Sequence, residues 1–88
     1  MSELNQCDCC DYFTLPDGQD YEICPLCFWE QDEFGIESPD DESGPNHGLT
    51  IREARRNFQA FGACSMDMLQ HVLPMAERAR YRRVLRAV

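Results

Sequence analysis

Cys7, Cys10, Cys24 and Cys27 form two Cys-x-x-Cys units, with thirteen residues between the second cysteine of one and the first of the other. Each unit is short enough to aim both sulfurs at one point, and the spacer is the right length for a hairpin that brings the units together. Four convergent thiolates make a tetrahedral site that suits Zn²⁺, with iron as the rival for an all-sulfur set. The expected site is therefore one Zn²⁺ per chain on Cys7, Cys10, Cys24 and Cys27. Cys9 adjoins Cys10, so a one-residue shift of the ligand stays open. Two other uses of six cysteines fit less well. A disulfide framework belongs to an oxidising compartment, and Met1-Ser2-Glu3-Leu4-Asn5-Gln6 has neither the basic start nor the apolar run of an export signal, so a cytoplasmic protein is expected. A redox dithiol expects a βαβ setting, which two copies flanking a turn signal do not provide. A metal enclosed by four cysteines has no open position for water, and no base and nucleophile pair stands out, so no enzymatic activity is expected.

The elements that must position these thiols follow from local pattern. Residues 11–15 are rich in aromatic and β-branched types, Pro16-Asp17-Gly18 has strong turn chemistry, and residues 19–23 alternate polar with apolar, which predicts a hairpin that carries Cys24 back beside Cys7 and Cys10. Phe28-Trp29-Glu30 is expected to add a short third strand whose aromatics cover the sulfurs. A zinc-ribbon hairpin over residues 5–30 is thus the first part of a single small α+β domain spanning residues 1–88, a chain short enough to need a metal as a staple. In residues 31–49 periodicity vanishes and glycines and prolines interrupt acidic side chains. That reads as a long loop, too long to be a simple connection.

Thr50-Ile51-Arg52-Glu53 fits a capping box at the start of a helix over residues 50–62, with Ile51, Ala54, Phe58 and Phe61 as its apolar stripe and Gly62 as its stop. Cys64 reads as a buried structural thiol, and His47 is not needed by a site that four cysteines already fill. Residues 65–88 read as a helical extension in one or two pieces broken at Pro74, with Tyr81, Val84, Leu85 and Val88 on one face and Arg78, Arg82 and Arg86 on another. The fold class is therefore small α+β, a zinc-ribbon or rubredoxin-like knuckle hairpin followed by two or three helices.

Charge divides sharply along the chain. Thirteen acids and no Lys or Arg lie in residues 1–49, whereas residues 50–88 hold eight Arg against Glu53, Asp67 and Glu77, for a net charge of −8. No apolar run is long enough for a membrane span. Such a surface repels phosphate backbones and attracts basic proteins. The candidate contact residues are Trp29, Glu30, Asp32, Glu33, Phe34, Ile36, Glu37, Asp40, Asp41 and Glu42, acids for steering with apolar anchors among them. For Trp29 the competing use is core packing. The arginine stripe keeps nucleic acid open as a less favoured partner.

Taken together, Cys7-Asp8-Cys9-Cys10, Tyr21-Glu22-Ile23-Cys24-Pro25-Leu26-Cys27-Phe28-Trp29-Glu30, Gly44-Pro45-Asn46-His47-Gly48-Leu49 and Glu53-Ala54-Arg55-Arg56-Asn57-Phe58 through Phe61-Gly62-Ala63 resemble the bacterial cysteine-rich CPCC family over residues 5–64. In the family motif a Pro stands where this chain has Asp8. The resemblance implies a zinc-ribbon-like protein and, by association with accessory proteins of bacterial toxin systems, an immunity or inhibitor role against a basic toxin domain. A rubredoxin-like electron carrier and a nucleic-acid-binding ribbon are the alternatives.

Overall fold

In the computed structural model, which describes residues 4–17, 21–32 and 35–88, the chain reverses direction at each Cys-x-x-Cys unit. Strand β1 (Asn5–Gln6) pairs antiparallel with β2 (Phe13–Leu15), Asn5 opposite Leu15 and Gln6 opposite Phe13, so the first unit is the loop of this hairpin. Around the second unit Ile23 bridges Glu30, the Tyr21 N–H donates to the Gln31 carbonyl at 2.7 Å, and the Gln31 N–H returns to Glu22 at 2.9 Å. The hairpin expected between residues 11–15 and 19–23 is thus replaced by two smaller reversals. Gly18, Gln19 and Asp20 of its expected turn lie outside the described residues. The third strand expected at Phe28-Trp29-Glu30 is reduced to the single bridge at Glu30. The physical reason lies just after each second cysteine, where Asp11 (φ 68°) and Phe28 (φ 66°) take the left-handed conformation and turn the chain. Neither is a glycine, so sequence alone carries no turn signal there.

The segment 31–49 carries two 3₁₀ turns, Gly35–Glu37 and Gly44–Asn46. Asn46 is buried and acts as a piece of strand. It accepts the Glu30 N–H at 2.8 Å and donates its amide to the Glu30 carbonyl at 2.7 Å and to the Ser43 hydroxyl at 2.9 Å. Ser43 in turn donates to the Asp32 carboxylate. Gly35 has its own reason to be glycine, since a Cβ there would lie 2.6 Å from an Asp8 carboxylate oxygen.

Helix α1 (Ile51–Phe61) begins with the expected capping box, both halves at 3.1 Å, and ends at Gly62 in the left-handed region. Ile51, Ala54 and Phe58 are buried against the cysteine units, together with Leu15, Leu26, Trp29 and Cys64, in one core cluster. Phe61, expected on the same stripe, is only half-buried. The helical extension is shorter than its sequence suggests. It consists of a 3₁₀ turn (Met66–His71) and one turn of helix, α2 (Met75–Arg78). Beyond it the chain runs extended beside β2: Arg83 bridges Tyr12, and the Phe13 N–H donates to the Arg82 carbonyl at 2.9 Å. Good helix formers give way here because tertiary hydrogen bonds outweigh propensities of a few tenths of a kcal/mol per residue. Val84, Leu85 and Val88 are accordingly exposed rather than packed as a helix face.

Candidate metal centre

The two reversals have the same internal geometry. In each, the N–H two residues after the leading cysteine points at its sulfur, Cys9 to Cys7 Sγ and Leu26 to Cys24 Sγ, both at 3.4 Å. The leading cysteine closes the loop by donating its own N–H five residues on, Cys7 to Tyr12 at 2.8 Å and Cys24 to Trp29 at 3.0 Å. These constraints aim both sulfurs of each unit inward. Cys7, Cys10, Cys24 and Cys27 bring their sulfurs within 4.8 Å of one another, all buried.

Two of the sulfur pairs are 3.6 Å (Cys7 and Cys27) and 3.7 Å (Cys10 and Cys24) apart. A tetrahedron built on metal–sulfur bonds of ~2.3 Å has edges of ~3.8 Å, whereas a disulfide would need ~2.05 Å. All six cysteines are free thiols. The spacing fits a metal held by four thiolates. Charge argues the same way. Burial pushes the Cys7 and Cys27 thiols up, and the hydrogen bond with Cys24 pushes Cys10 up. Hydrogen bonds from Cys10, Cys27 and Cys7, with Thr14 contributing, hold Cys24 below the ordinary thiol range. A divalent ion would offset the cost of ionising four thiols buried this close together. With four sulfurs around it, such an ion has a structural rather than a catalytic coordination.

Cys10, not Cys9, supplies the fourth sulfur of this group. Cys9 is buried beside it and offers its backbone N–H to Cys7. Cys64 is buried at the second unit, its N–H on the Cys27 carbonyl at 2.8 Å, and burial pushes its thiol up to about 12. His47 is exposed and outside the group. Trp29 is 1 % exposed within the core, which removes it from the partner-contact residues. Its indole N–H has no hydrogen-bond partner among the described residues. Glu37, Asp40, Asp41 and Glu42 are exposed, Glu30, Asp32 and Ile36 are half-buried, and Glu33 and Phe34 lie outside the described residues.

What sequence reasoning missed is the environment of the first unit. Asp11 is buried, and Arg55 grips its carboxylate with both terminal nitrogens at 2.8 and 2.7 Å. Arg86 adds its Nε at 2.9 Å and its backbone N–H at 3.0 Å. The same two arginines and Arg83 cap the loop's carbonyls: Arg55 on Asp8, Arg86 on Cys7 and Arg83 on Cys10, at 2.7, 2.7 and 3.0 Å. Burial pushes the Asp11 carboxyl up, but the Arg55 and Arg86 hydrogen bonds outweigh it and hold the group below the usual carboxylate range. Asp8 goes the other way, raised by burial despite Arg86 nearby. Thr14, with its hydroxyl 3.1 Å from Cys24 Sγ, is another unread contributor. The pairing of Asp11 with arginines 44 and 75 positions away leaves no local signature.

Among the described residues no helix is long and apolar enough to cross a membrane. No curated protein and no solved structure matches the chain. The family model described as Cysteine-rich CPCC matches residues 5–79, further into the tail than the motifs alone reach, and takes in the Cys64 and Arg78 contacts. With both cysteine units, α1 and the short α2 turn inside that match, the chain belongs to the cysteine-rich CPCC family.

Proposed function

We propose that this protein is a zinc-stapled binding module without enzymatic activity, which neutralises a basic protein partner, the toxic domain of a bacterial effector being the first candidate. Membership of a cysteine-rich family and four buried, convergent thiols already make it a metal-binding module; zinc is the ion favoured by a closed all-thiolate tetrahedron. The observation that carries the reading is the division of labour in the charge. Four of the eight arginines fold back on the protein, Arg55, Arg83 and Arg86 onto the first cysteine loop and Arg78 onto the Leu73 and Gly62 carbonyls, while Glu37, Asp41 and Glu42 stay exposed. Acids on a rigid frame steer a basic partner, and apolar contacts at Ile36 would supply affinity.

Affinity purification of the chain from its native cell tests the reading. A basic protein should be retained, and reversing Asp40, Asp41 and Glu42 together should slow its association more than it speeds dissociation. Recovery of no protein partner, or equal association of the reversed variant, would sink it. The electron-carrier alternative requires protein isolated without added metal to contain iron, show the colour of ferric thiolate and cycle in voltammetry. Colourless protein with about one zinc per chain is the expected result.

A further inference from the structure

Two open grooves run beside α1 and meet at Gln59. One, of about 480 Å³, is lined by Arg52, Arg55, Arg56 and Arg86. The other, of about 500 Å³, sets Arg78 and Arg83 beside Tyr12, Phe58 and Phe61. No Asp or Glu side chain lines either groove, although Arg52 is held by the Asp40 carboxylate at 2.7 Å and by a Val88 oxygen at 3.2 Å. Arg52, Arg56 and Gln59 stand at i, i+4 and i+7, which makes them one ridge along a helix of ~16 Å.

Several of these guanidiniums have donors to spare. Arg56 is exposed, with no hydrogen-bond or ion-pair partner among the described residues. Arg83 uses only its Nε, on the Cys10 carbonyl, and lies 5.0 Å over the Tyr12 ring and 5.5 Å over the Phe58 ring. Arg52 is shared with the exposed Asp40, an ion pair that a phosphate can displace. Guanidiniums in one groove, and guanidiniums beside the half-buried rings of Tyr12 and Phe61 in the other, match the needs of an unpaired strand, whose phosphates take the charge while its bases stack. An acidic peptide would need the charge but not the rings. Asp40, Asp11 and Asp8 pair with Arg52, Arg55 and Arg86, so the uncompensated exposed charge of the site is that of Arg56 and Arg83, and more distant acids are screened over ~8 Å at physiological salt.

We propose that the α1 grooves bind single-stranded nucleic acid, with phosphates on Arg52, Arg56 and Arg83, a base against Phe61, and the Gln59 amide on a base edge. This surface meets the acidic one assigned to a protein partner at the Arg52–Asp40 pair. The test is fluorescence anisotropy of the zinc-loaded full chain with labelled oligothymidylate or oligouridylate of about twelve nucleotides, titrated over salt. Three phosphate contacts give a log–log salt slope of about −2. Arg56→Glu should weaken binding about tenfold and flatten the slope by about 0.7 or more, with an unchanged thermal melt. Arg80→Glu should change affinity less than about twofold, since that guanidinium rests on Glu77 and lines neither groove. Gln59→Ala should weaken the oligonucleotide but not inorganic polyphosphate. Absence of binding at about 50 mM salt, equal losses from Arg56→Glu and Arg80→Glu, or displacement by polyglutamate as effective as by oligonucleotide would each overturn the proposal.

Discussion

The loops Cys7–Tyr12 and Cys24–Trp29 share a backbone, down to the N–H aimed at the leading sulfur and the left-handed residue after the second cysteine, but their surroundings differ in kind. Arginines from α1 and the tail satisfy the carbonyls of the first loop, and a buried carboxylate orders those arginines. The second is satisfied by backbone, with Cys64 on Cys27 and Leu73 on Pro25, and covered by packing, with Phe28 stacked 4.9 Å from His71. The same covalent motif therefore reaches the same sulfur geometry through two energy sources. Charge-assisted hydrogen bonds respond to pH and to loss of a partner; packing responds to lost volume.

The largest effect should erase the difference. Cys24→Ser or metal chelation would remove what both loops converge on, and apparent binding energies of about 10 kcal/mol or more for a structural zinc rival the whole stability of a small domain. The expected outcome is loss of cooperative melting together with loss of bound metal. Cys9→Ser should keep the metal, and a zinc-free Cys9→Ser would return the ligand assignment to the one-residue shift.

Next in size are changes that strike the first loop alone. Asp11→Asn leaves Arg55 and Arg86 facing a neutral group, a loss of about 3–5 kcal/mol by analogy with broken buried pairs, towards the lower end because Arg86 is 28 % exposed. Phe58→Ala should cost a similar amount, about 3 kcal/mol, through its edge contact with Tyr12 at 6.2 Å and the Arg78 and Arg83 guanidiniums over its ring. The charge-based loss carries a pH signature. A carboxyl whose folded value is lowered stabilises the fold above its unfolded value of ~3.9 and loses that contribution as pH falls through the lowered folded value. Denaturant melts of wild type and Asp11→Asn should thus begin to converge below about pH 4 and meet only below the lowered folded value, whereas wild type and Phe58→Ala should stay apart until acid releases the metal.

The four metal-site cysteines, the capping box with its Gly62 stop and most of the α1 stripe were legible because each is a pattern within a few residues. Thr50→Ala, which touches neither cysteine loop, should accordingly cost the ordinary ~1 kcal/mol of a lost cap. The strand pairing was not legible. Residues 11–15 and 19–23 look like hairpin arms, but with a left-handed Asp11 and Phe28 the strand Phe13–Leu15 pairs back across the first cysteine unit and Ile23 across the second. The tail was misread for a related reason. Its helix formers are intact, yet Arg83 and Arg86 gain carbonyl and carboxylate partners in the first loop only when the backbone is extended beside β2. Partners that far apart in sequence become visible only once the fold brings them together.

The smallest effect, that of Phe28→Gly, gives the sharpest version of the comparison when set beside Asp11→Gly, because the two change the same backbone position in both loops. Asp11 and Phe28 each hold a left-handed φ that costs an L-residue roughly 1–2 kcal/mol and a glycine almost nothing. Conformational relief from Asp11→Gly and Phe28→Gly is therefore equal, and any difference between the two variants reports what each side chain does. At Phe28 the lost side chain is half-buried and stacked on one surface histidine, worth about 1 kcal/mol, so relief and loss should nearly cancel. At Asp11 the same relief is set against a buried carboxylate that two arginines share, and the variant should lose at least about 2 kcal/mol. Thermal and denaturant melts of the two zinc-loaded glycine variants decide it: equal shifts would mean that the arginine cage contributes nothing beyond what packing gives the second loop.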